Sequence, residues 1–263
     1  TTFVSATELV ANITIGADAR LGSYSVRVDV PDGRSAVGSQ SFTVNANIET
    51  VDLGAGDNST ARGINNQGQI VGERGANLAT VQAFLWENGT ITNLGVLPGM
   101  TFSYAFDINA SGQVVGVSGT GTLDSPLQQR GFVWTAAAGM VALSSLGGSV
   151  SFGRAINDQG DIAGYSTAAG NAAGHAVVWR NGVITDIQSA AYADMEGRGF
   201  AINNGGEVVG HVYGPGSFRW TPTTPMQLLV GPGGLAQGVN NAGCITGFVT
   251  SGDGQGWRQC AGV

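Results

Sequence analysis

The sequence predicts an all-β protein: a five-bladed β-propeller closed by an N-terminal strand, with a smaller β module ahead of it. Three observations carry this. A ten-residue block recurs five times, all five tryptophans stand at one equivalent place after it, and the first 47 residues alternate apolar and polar side chains with a period of two.

Composition sets the limits. Of 263 residues, 42% are apolar, aromatic or cysteine, enough to bury a sizeable core and too many for a disordered chain. The 44 glycines do not recur every third residue, which excludes collagen. No run approaches the roughly 18 apolar residues of a membrane helix, so no membrane insertion is expected. A net charge of −7, with 11 basic residues and no basic cluster along the chain, argues against nucleic acid and anionic membrane partners. The chain opens Thr1-Thr2-Phe3 without a basic or apolar leader, which reads as a processed or trimmed product from which any export signal is expected to have gone.

The N-terminal module spans residues 1–47. Phe3 to Thr7, Leu9 to Ile15 and Ser23 to Val30 alternate in strand fashion, Pro31-Asp32-Gly33-Arg34 makes a turn, and Ser41 to Val44 closes it. Tyr24, Val26 and Val28 followed by Asp32-Gly33 resemble the final strands of bacterial immunoglobulin-like modules of the IPT/TIG kind. Such a module needs about seven strands and ~100 residues. Four strands here imply a partial immunoglobulin-like β-sandwich with an exposed edge and apolar face. Two readings stay open: another copy completes the sheet by strand addition, giving a head-to-tail homopolymer, or a longer parent protein supplies the missing strands.

Residues 48–263 hold the repeats. Gly63 to Gly72 (GINNQGQIVG) returns as Asp107 to Gly116, Ala155 to Gly164, Ala201 to Gly210 and Gly238 to Gly247. An apolar residue, Asn-x-x-Gly and then β-branched residues describe two antiparallel strands joined by a tight turn. Asn65, Asn109, Asn157, Asn203 and Asn240 can bond the turn backbone, while Gly68, Gly112, Gly160, Gly206 and Gly243 supply its positive φ. Trp86, Trp134, Trp179, Trp220 and Trp257 mark a third strand, expected to pack between blades. Stretches such as Gly89 to Leu94 and Gly182 to Ile187 make a fourth. Four strands in ~45 residues is a propeller blade.

The last repeat has only six residues after Trp257, whereas Glu49 to Gly54 precedes the first repeat and reads like a fourth strand. Val51 and Leu53 are therefore expected to pair with the last blade and close the ring. Small residues at one equivalent place, Ala61, Ala105, Gly153, Gly199 and Ala236, suit inner strands crowded around an axis.

Asn-x-x-Gly-(Gln/Asp/Glu)-(Ile/Val)-(Val/Ala)-Gly, then Ala-Phe-x-Trp, then Asp-Leu-Gly resembles the bacterial HAF-type extracellular repeat. His175-Ala176 keeps the His of that family's tripeptide, while Gln82-Ala83-Phe84 and Arg130-Gly131-Phe132 depart from it. The resemblance covers about residues 48 to 263. It implies an exported bacterial repeat protein with no active-site residues to carry over, and the absence of lysine fits a GC-rich bacterial coding bias.

Chemistry has few candidates. Cys244 and Cys260 fall on adjacent strands of the last blade and are expected to form a disulfide across a hairpin pivoting near Asp253, because two cysteines alone do not fill a zinc site. His175 and His211 occupy different repeat positions and read as ordinary strand residues. Asp107, Asp158, Asp161, Asp186 and Glu207 invite comparison with glycosidase carboxylates, but their alternation with Asn, Gln and Ala across repeats reads as solvated turns. Gly231 to Gly234 lacks the lysine of a phosphate loop. No catalytic residue, metal or cofactor is expected.

The expectation is a non-enzymatic protein of the bacterial exterior, a filament subunit polymerising through its incomplete N-terminal module. The alternative is an extracellular carbohydrate-binding module that takes surface glycans as partners on its loops. The stretches Glu73 to Thr80, Val117 to Gln129, Ser166 to Gly174 and Val212 to Gly216 differ in length and composition, which favours the structural role.

Overall fold

The computed structural model describes residues 2–5, 8–10, 22–29, 35–44, 53, 58–124, 126–171, 173–230, 234–249 and 255–260, and contains no α-helix among them. It divides into two compact units, Thr1–Asp52 and Leu53–Val263. The division falls after Asp52, where the sequence places it after residue 47.

In the first unit β1 (Thr2–Ser5) pairs antiparallel with β2 (Glu8–Val10), and β3 (Gly22–Asp29) with β4 (Ser35–Val44). These are two separate two-stranded sheets. The closing strand is longer than expected: it begins at Ser35, and a bulge between Ser25 and Arg27 keeps the longer hairpin in register. Pro31 to Arg34 lie outside the described residues.

The second unit is a β-propeller built of four-stranded antiparallel sheets in chain order. The first holds β5 (Ser59–Ile64), β6 (Ile70–Arg74), β7 (Gln82–Glu87) and β8 (Thr90–Gly95). Next come β9 (Phe102–Ile108), β10 (Val114–Gly121), β11 (Pro126–Thr135) and β12 (Gly139–Ala142). Then follow β13 (Gly147–Ile156), β14 (Ile162–Ala168), β15 (Gly174–Arg180) and β16 (Val183–Asp186). A single parallel pairing, Gln129 with Val150, links β11 to β13. The fourth sheet holds β17 (Gly197–Ile202), β18 (Val208–Val212), β19 (Gly216–Thr221) and β20 (Thr224–Val230). The chain ends in a three-stranded sheet of β21 (Gly234–Val239), β22 (Ile245–Val249) and β23 (Gly256–Gln259). Each repeat block forms the first hairpin of its sheet, and each tryptophan lies on the third strand.

The repeat turn does more than reverse the chain. Gly68, Gly112, Gly160, Gly206 and Gly243 have φ of 77°, 75°, 83°, 74° and 72°, as the turn requires. In each turn the Asn side-chain oxygen accepts backbone N–H bonds two and four residues on, as Asn157 does from Gln159 and Asp161. Its Nδ2 then donates to a backbone carbonyl of the next sheet: Asn65 to Asn109, Asn109 to Asn157, Asn157 to Asn203 and Asn203 to Asn240, each at 3.0 Å. One residue type therefore fixes both the turn and the spacing between sheets.

The final glycine of each block has a different reason. Every first strand bulges beside its small residue, as between Gly153 and Ala155. The bulge drives the carbonyl oxygen of Thr60, Tyr104, Phe152, Arg198 or Leu235 into the place where a Cβ would stand on Gly72, Gly116, Gly164, Gly210 or Gly247.

The core lies between sheets. Trp134 packs on a cluster that includes Val71, Leu85, Leu94 and Val114; Trp179 joins Val115, Leu143 and Ile162. Trp220 meets Ala163, Val178 and Val208, and Trp257 meets Val209, Ala236 and Ile245. Each of these tryptophans thus reaches a sheet earlier in the chain. Trp179 is the most enclosed, 1% exposed, with Nε1 donating to the Ser144 carbonyl at 3.0 Å. Trp86, on the first sheet, is only half-buried, and Ala61 on β5 is exposed, unlike the buried Ala105 and Ala236. Val51 lies outside the described residues, and Leu53 is half-buried but not in a strand.

Cys244 and Cys260 form a disulfide with Cα atoms 4.0 Å apart, just beyond the paired ends of β22 and β23. A 16-residue separation corresponds to about 2–3 kcal/mol on the loop-entropy estimate. Asp253 lies outside the described residues. All four expected loops are shorter than the sequence indicates: Glu73 belongs to β6, β10 runs on to Gly121, β14 to Ala168, and Val212 and Gly216 end β18 and begin β19.

Candidate functional site, an arginine and aromatic pocket between inner strands

The inner strands bring one variable position of the repeat together. After each small residue stand Arg62, Phe106, Arg154, Phe200 and Gln237, within blocks otherwise nearly alike. Phe106, Arg154 and Phe200, on β9, β13 and β17, line a cavity of about 440 Å³ with Phe152, Tyr165, Arg198, Gln129, Leu123 and Asp124. Leu123 and Asp124 come from the segment after β10, so strands supply the wall and one connection supplies part of the rim.

Guanidinium and ring faces alternate through this site. The Arg154 Cζ sits 4.7 Å from the centroid of Phe106 and 5.9 Å from that of Phe200, a cation held between two rings. Phe106 stacks on Phe152 at 6.2 Å, and Phe152 on Tyr165 at 5.1 Å. Arg198 continues the series over Tyr165 at 5.1 Å and Tyr213 at 5.6 Å, while Arg62 lies over Phe106 at 5.6 Å and Tyr104 at 5.8 Å. Phe152, Tyr165 and Phe200 stay half-buried, leaving ring surface open to the cavity.

The charges are not balanced evenly. Arg62 makes a two-pronged pair with the buried Glu73 at 2.6 Å, and Arg198 pairs with Glu196 at 2.8 Å. Among the described residues Arg154 has no ion pair; the residue keeps accessible surface, while its guanidinium lies against the rings of Phe106 and Phe200. Burial first, then the like charges of Arg62 and Arg198, lower the Arg154 guanidinium below the ordinary arginine value. Arginine stays charged at neutral pH all the same. Three arginines far apart in sequence converge, Arg62 and Arg154 from equivalent places after the small residue and Arg198 from the place before it.

A larger open cleft of about 670 Å³ is bounded by Asn58, Asn77, Leu78, Val81, Tyr104 and Glu73 among others. Among the described residues its one charged group, Glu73, is already engaged by Arg62. The repeat turns gather around a shallow polar depression of about 310 Å³, where Asn66, Ala110, Asp158, Asn204 and Asn241 meet.

Of the carboxylates expected as solvated turn residues, Asp158 is an exposed turn residue and Asp186 is exposed, while Asp107, Asp161 and Glu207 are drawn into the structure. Asp107 is half-buried and accepts from Ile108 and Ile156 backbone N–H groups at 2.9 Å, tying β9 to β13; burial pushes its carboxyl up against these bonds. Asp158 accepts from the Ala110 N–H and from Asn204 Nδ2, and Asp161 pairs with Arg180 at 2.8 Å. Glu207 is 6% exposed and pairs with Arg219 at 2.6 Å. Asp107, Asp161 and Glu207 differ from solvated turns because each faces a neighbouring strand or sheet, where a free carboxylate would be costly to bury. His175 is also more than a plain strand residue: Nδ1 meets Asp186 at 2.7 Å and Nε2 meets the Ala193 carbonyl at 2.8 Å. His211 meets the Gly234 carbonyl at 2.7 Å. Among the described residues no group of three or more His, Cys, Asp or Glu side chains is placed to hold a metal.

No protein-family model matches the chain, and no curated protein sequence matches it. Among solved structures it is similar to a gluconolactonase from Xanthomonas campestris, at 14% identity and a TM-score of 0.48, covering 77% of this chain and 72% of that one. A putative gluconolactonase matches at 13% identity and 0.46 over 75% and 72%. The β-propeller domain of the trilobed protease from Pyrococcus furiosus matches at 8% identity and 0.41 over 92% and 90%. At these identities the likeness is one of fold. It nonetheless corrects the expectation of a protein without enzymatic activity, because propellers similar to this one include enzymes and the architecture gives no ground for excluding catalysis.

The sequence signal for the pocket lies in Arg62, Phe106, Arg154 and Phe200, which occupy an inner-strand position that the repeat leaves chemically free.

Proposed function

We propose that the chain is an extracellular carbohydrate-binding module whose ligand enters the pocket between its inner strands. The observation that carries this is the pocket itself: ring faces of Phe152, Tyr165 and Phe200 beside Arg154, Gln129 and Asp124 in about 440 Å³. A sugar presents an apolar ring face and polar edges, and a concavity mixing aromatic surface with a few polar groups suits both. Support for the extracellular setting is the disulfide, which persists in oxidising surroundings, together with the resemblance to HAF-type repeats. No helix among the described residues is long and apolar enough to cross a membrane.

The reading includes a propeller of five blades. Among the described residues the last sheet has three strands where the others have four. A glycan array probed with the full chain tests the binding role. Saturable binding to a defined set of sugars is the expected result, and a blank array across acidic and neutral glycans contradicts it.

A second reading keeps the polymer. The hairpins β1–β2 and β3–β4 are not hydrogen-bonded into one sheet, which leaves edges of the kind that accept a strand from another copy. Sedimentation velocity over a hundredfold concentration range tests it, and a constant monomer coefficient excludes it.

A further inference from the structure

Among the arginines around the pocket Arg154 stands apart. Arg62 and Arg198 each hold a carboxylate, Glu73 and Glu196. Asp124 lies on the pocket wall, exposed and not ion-paired to Arg154. The site therefore keeps one guanidinium that no described carboxylate pairs, near two others already engaged. Phe106 and Phe200 hold it in place from both sides. A charge fixed in a cavity, unpaired and close to like charges, gains more from an incoming anion than a flexible surface arginine does. Its side chain is ordered in advance, and the anion relieves a repulsion already present.

Resting on the reading of the pocket as a carbohydrate site, we infer that Arg154 is its anion-recognising group and that the ligand is an acidic sugar, a uronic acid within an oligosaccharide. The carboxylate takes the guanidinium fork while the sugar ring lies against Phe152, Tyr165 or Phe200. The cavity falls within the range that encloses small ligands, so one or two sugar rings fill it. Carboxylate rather than bare charge is the match, because the planar guanidinium presents paired donors to a planar acceptor. The molecule as a whole carries −7, so the attraction is local to the pocket and is not a general affinity for polyanions.

Calorimetric titration of the full chain with a galacturonic acid trisaccharide, and with the same trisaccharide after reduction of its carboxylates to alcohols, tests this. The acidic form is expected to bind about 10- to 100-fold more tightly. In Arg154→Gln that preference disappears. In Arg154→Lys part of it survives, because the charge remains and the fork does not. Circular dichroism and melting of both variants confirm that they are folded; should the Gln variant unfold, the loss in the Lys variant decides. Equal binding of the two sugars overturns the assignment to an acidic ligand and leaves the carbohydrate reading standing. A preference that persists in Arg154→Gln overturns the role of Arg154. If the folded protein binds neither sugar, the carbohydrate reading fails and this inference with it.

Discussion

At the scale of single residues, the fold depends on places where only one side chain fits. Gly116 is one: the bulge in β9 puts the Tyr104 carbonyl where its Cβ would be. Gly116→Ala is expected to cost about 3 kcal/mol, since backbone has to move to admit the methyl. Gly89→Ala, at φ 81° with open space around it, costs about 1 kcal/mol for the left-handed conformation alone. Urea unfolding of the two variants separates these causes, and equal losses would show that close approach is not what Gly116 provides. His175 makes a second residue-scale case. Both of its ring nitrogens face acceptors, Asp186 and the Ala193 carbonyl, so it satisfies both only as the imidazolium. Burial works against that charge, but the bonds to Asp186 and Ala193 and the charges of Asp186 and Asp194 outweigh it and raise the pKa. A raised folded value stabilises the protein fully below the ordinary imidazole value of 6.5 and loses that contribution as pH climbs through the folded one. Wild type should therefore lose melting temperature on going from pH 6 to pH 9 by more than Asp186→Asn does. Parallel curves would contradict the pairing.

At the scale of elements, sheet-to-sheet packing and the asparagine turns share the work. Asn157, 4% exposed, makes two bonds within its own turn and one to the Asn203 carbonyl, so its side chain serves two levels of structure at once. Tryptophan packing makes the sharper prediction. Trp179→Ala should cost about 4 kcal/mol, because it empties the buried space between Leu143, Ile162 and Val177 and loses the bond to Ser144. Trp86→Ala should cost about 1–2 kcal/mol from a half-buried site. Denaturant unfolding compares the two, and a Trp86 loss as large as that of Trp179 would contradict unequal burial. The sequence made the hairpins legible because Asn-x-x-Gly enforces its own turn, and it made the disulfide legible because Cys244 and Cys260 flank one hairpin. It did not disclose the bonds from Asn65 to Asn109 and onward, since a side chain that serves its own turn gives no sign of also reaching the next sheet. Nor did it disclose that Asp107 and Glu207 are paired, because burial of a polar residue depends on the sheet packed against it.

At the scale of the whole molecule, a repeat is also a device for superposing positions distant in sequence. The pocket exists because β9, β13 and β17 return Phe106, Arg154 and Phe200 to neighbouring places around one cavity. Composition shows 11 arginines scattered along the chain and gives no hint that three converge. The proposed count of five blades is tested by imaging of single particles, read for the number of lobes around the axis.

The most direct test of the account is a crystal structure of the full chain with the acidic trisaccharide. The account expects a sugar ring against Phe152, Tyr165 or Phe200 with its carboxylate on the Arg154 guanidinium. A ligand seated on the outer loops or in the polar depression of the asparagine turns, with the Arg154 pocket empty, would contradict it.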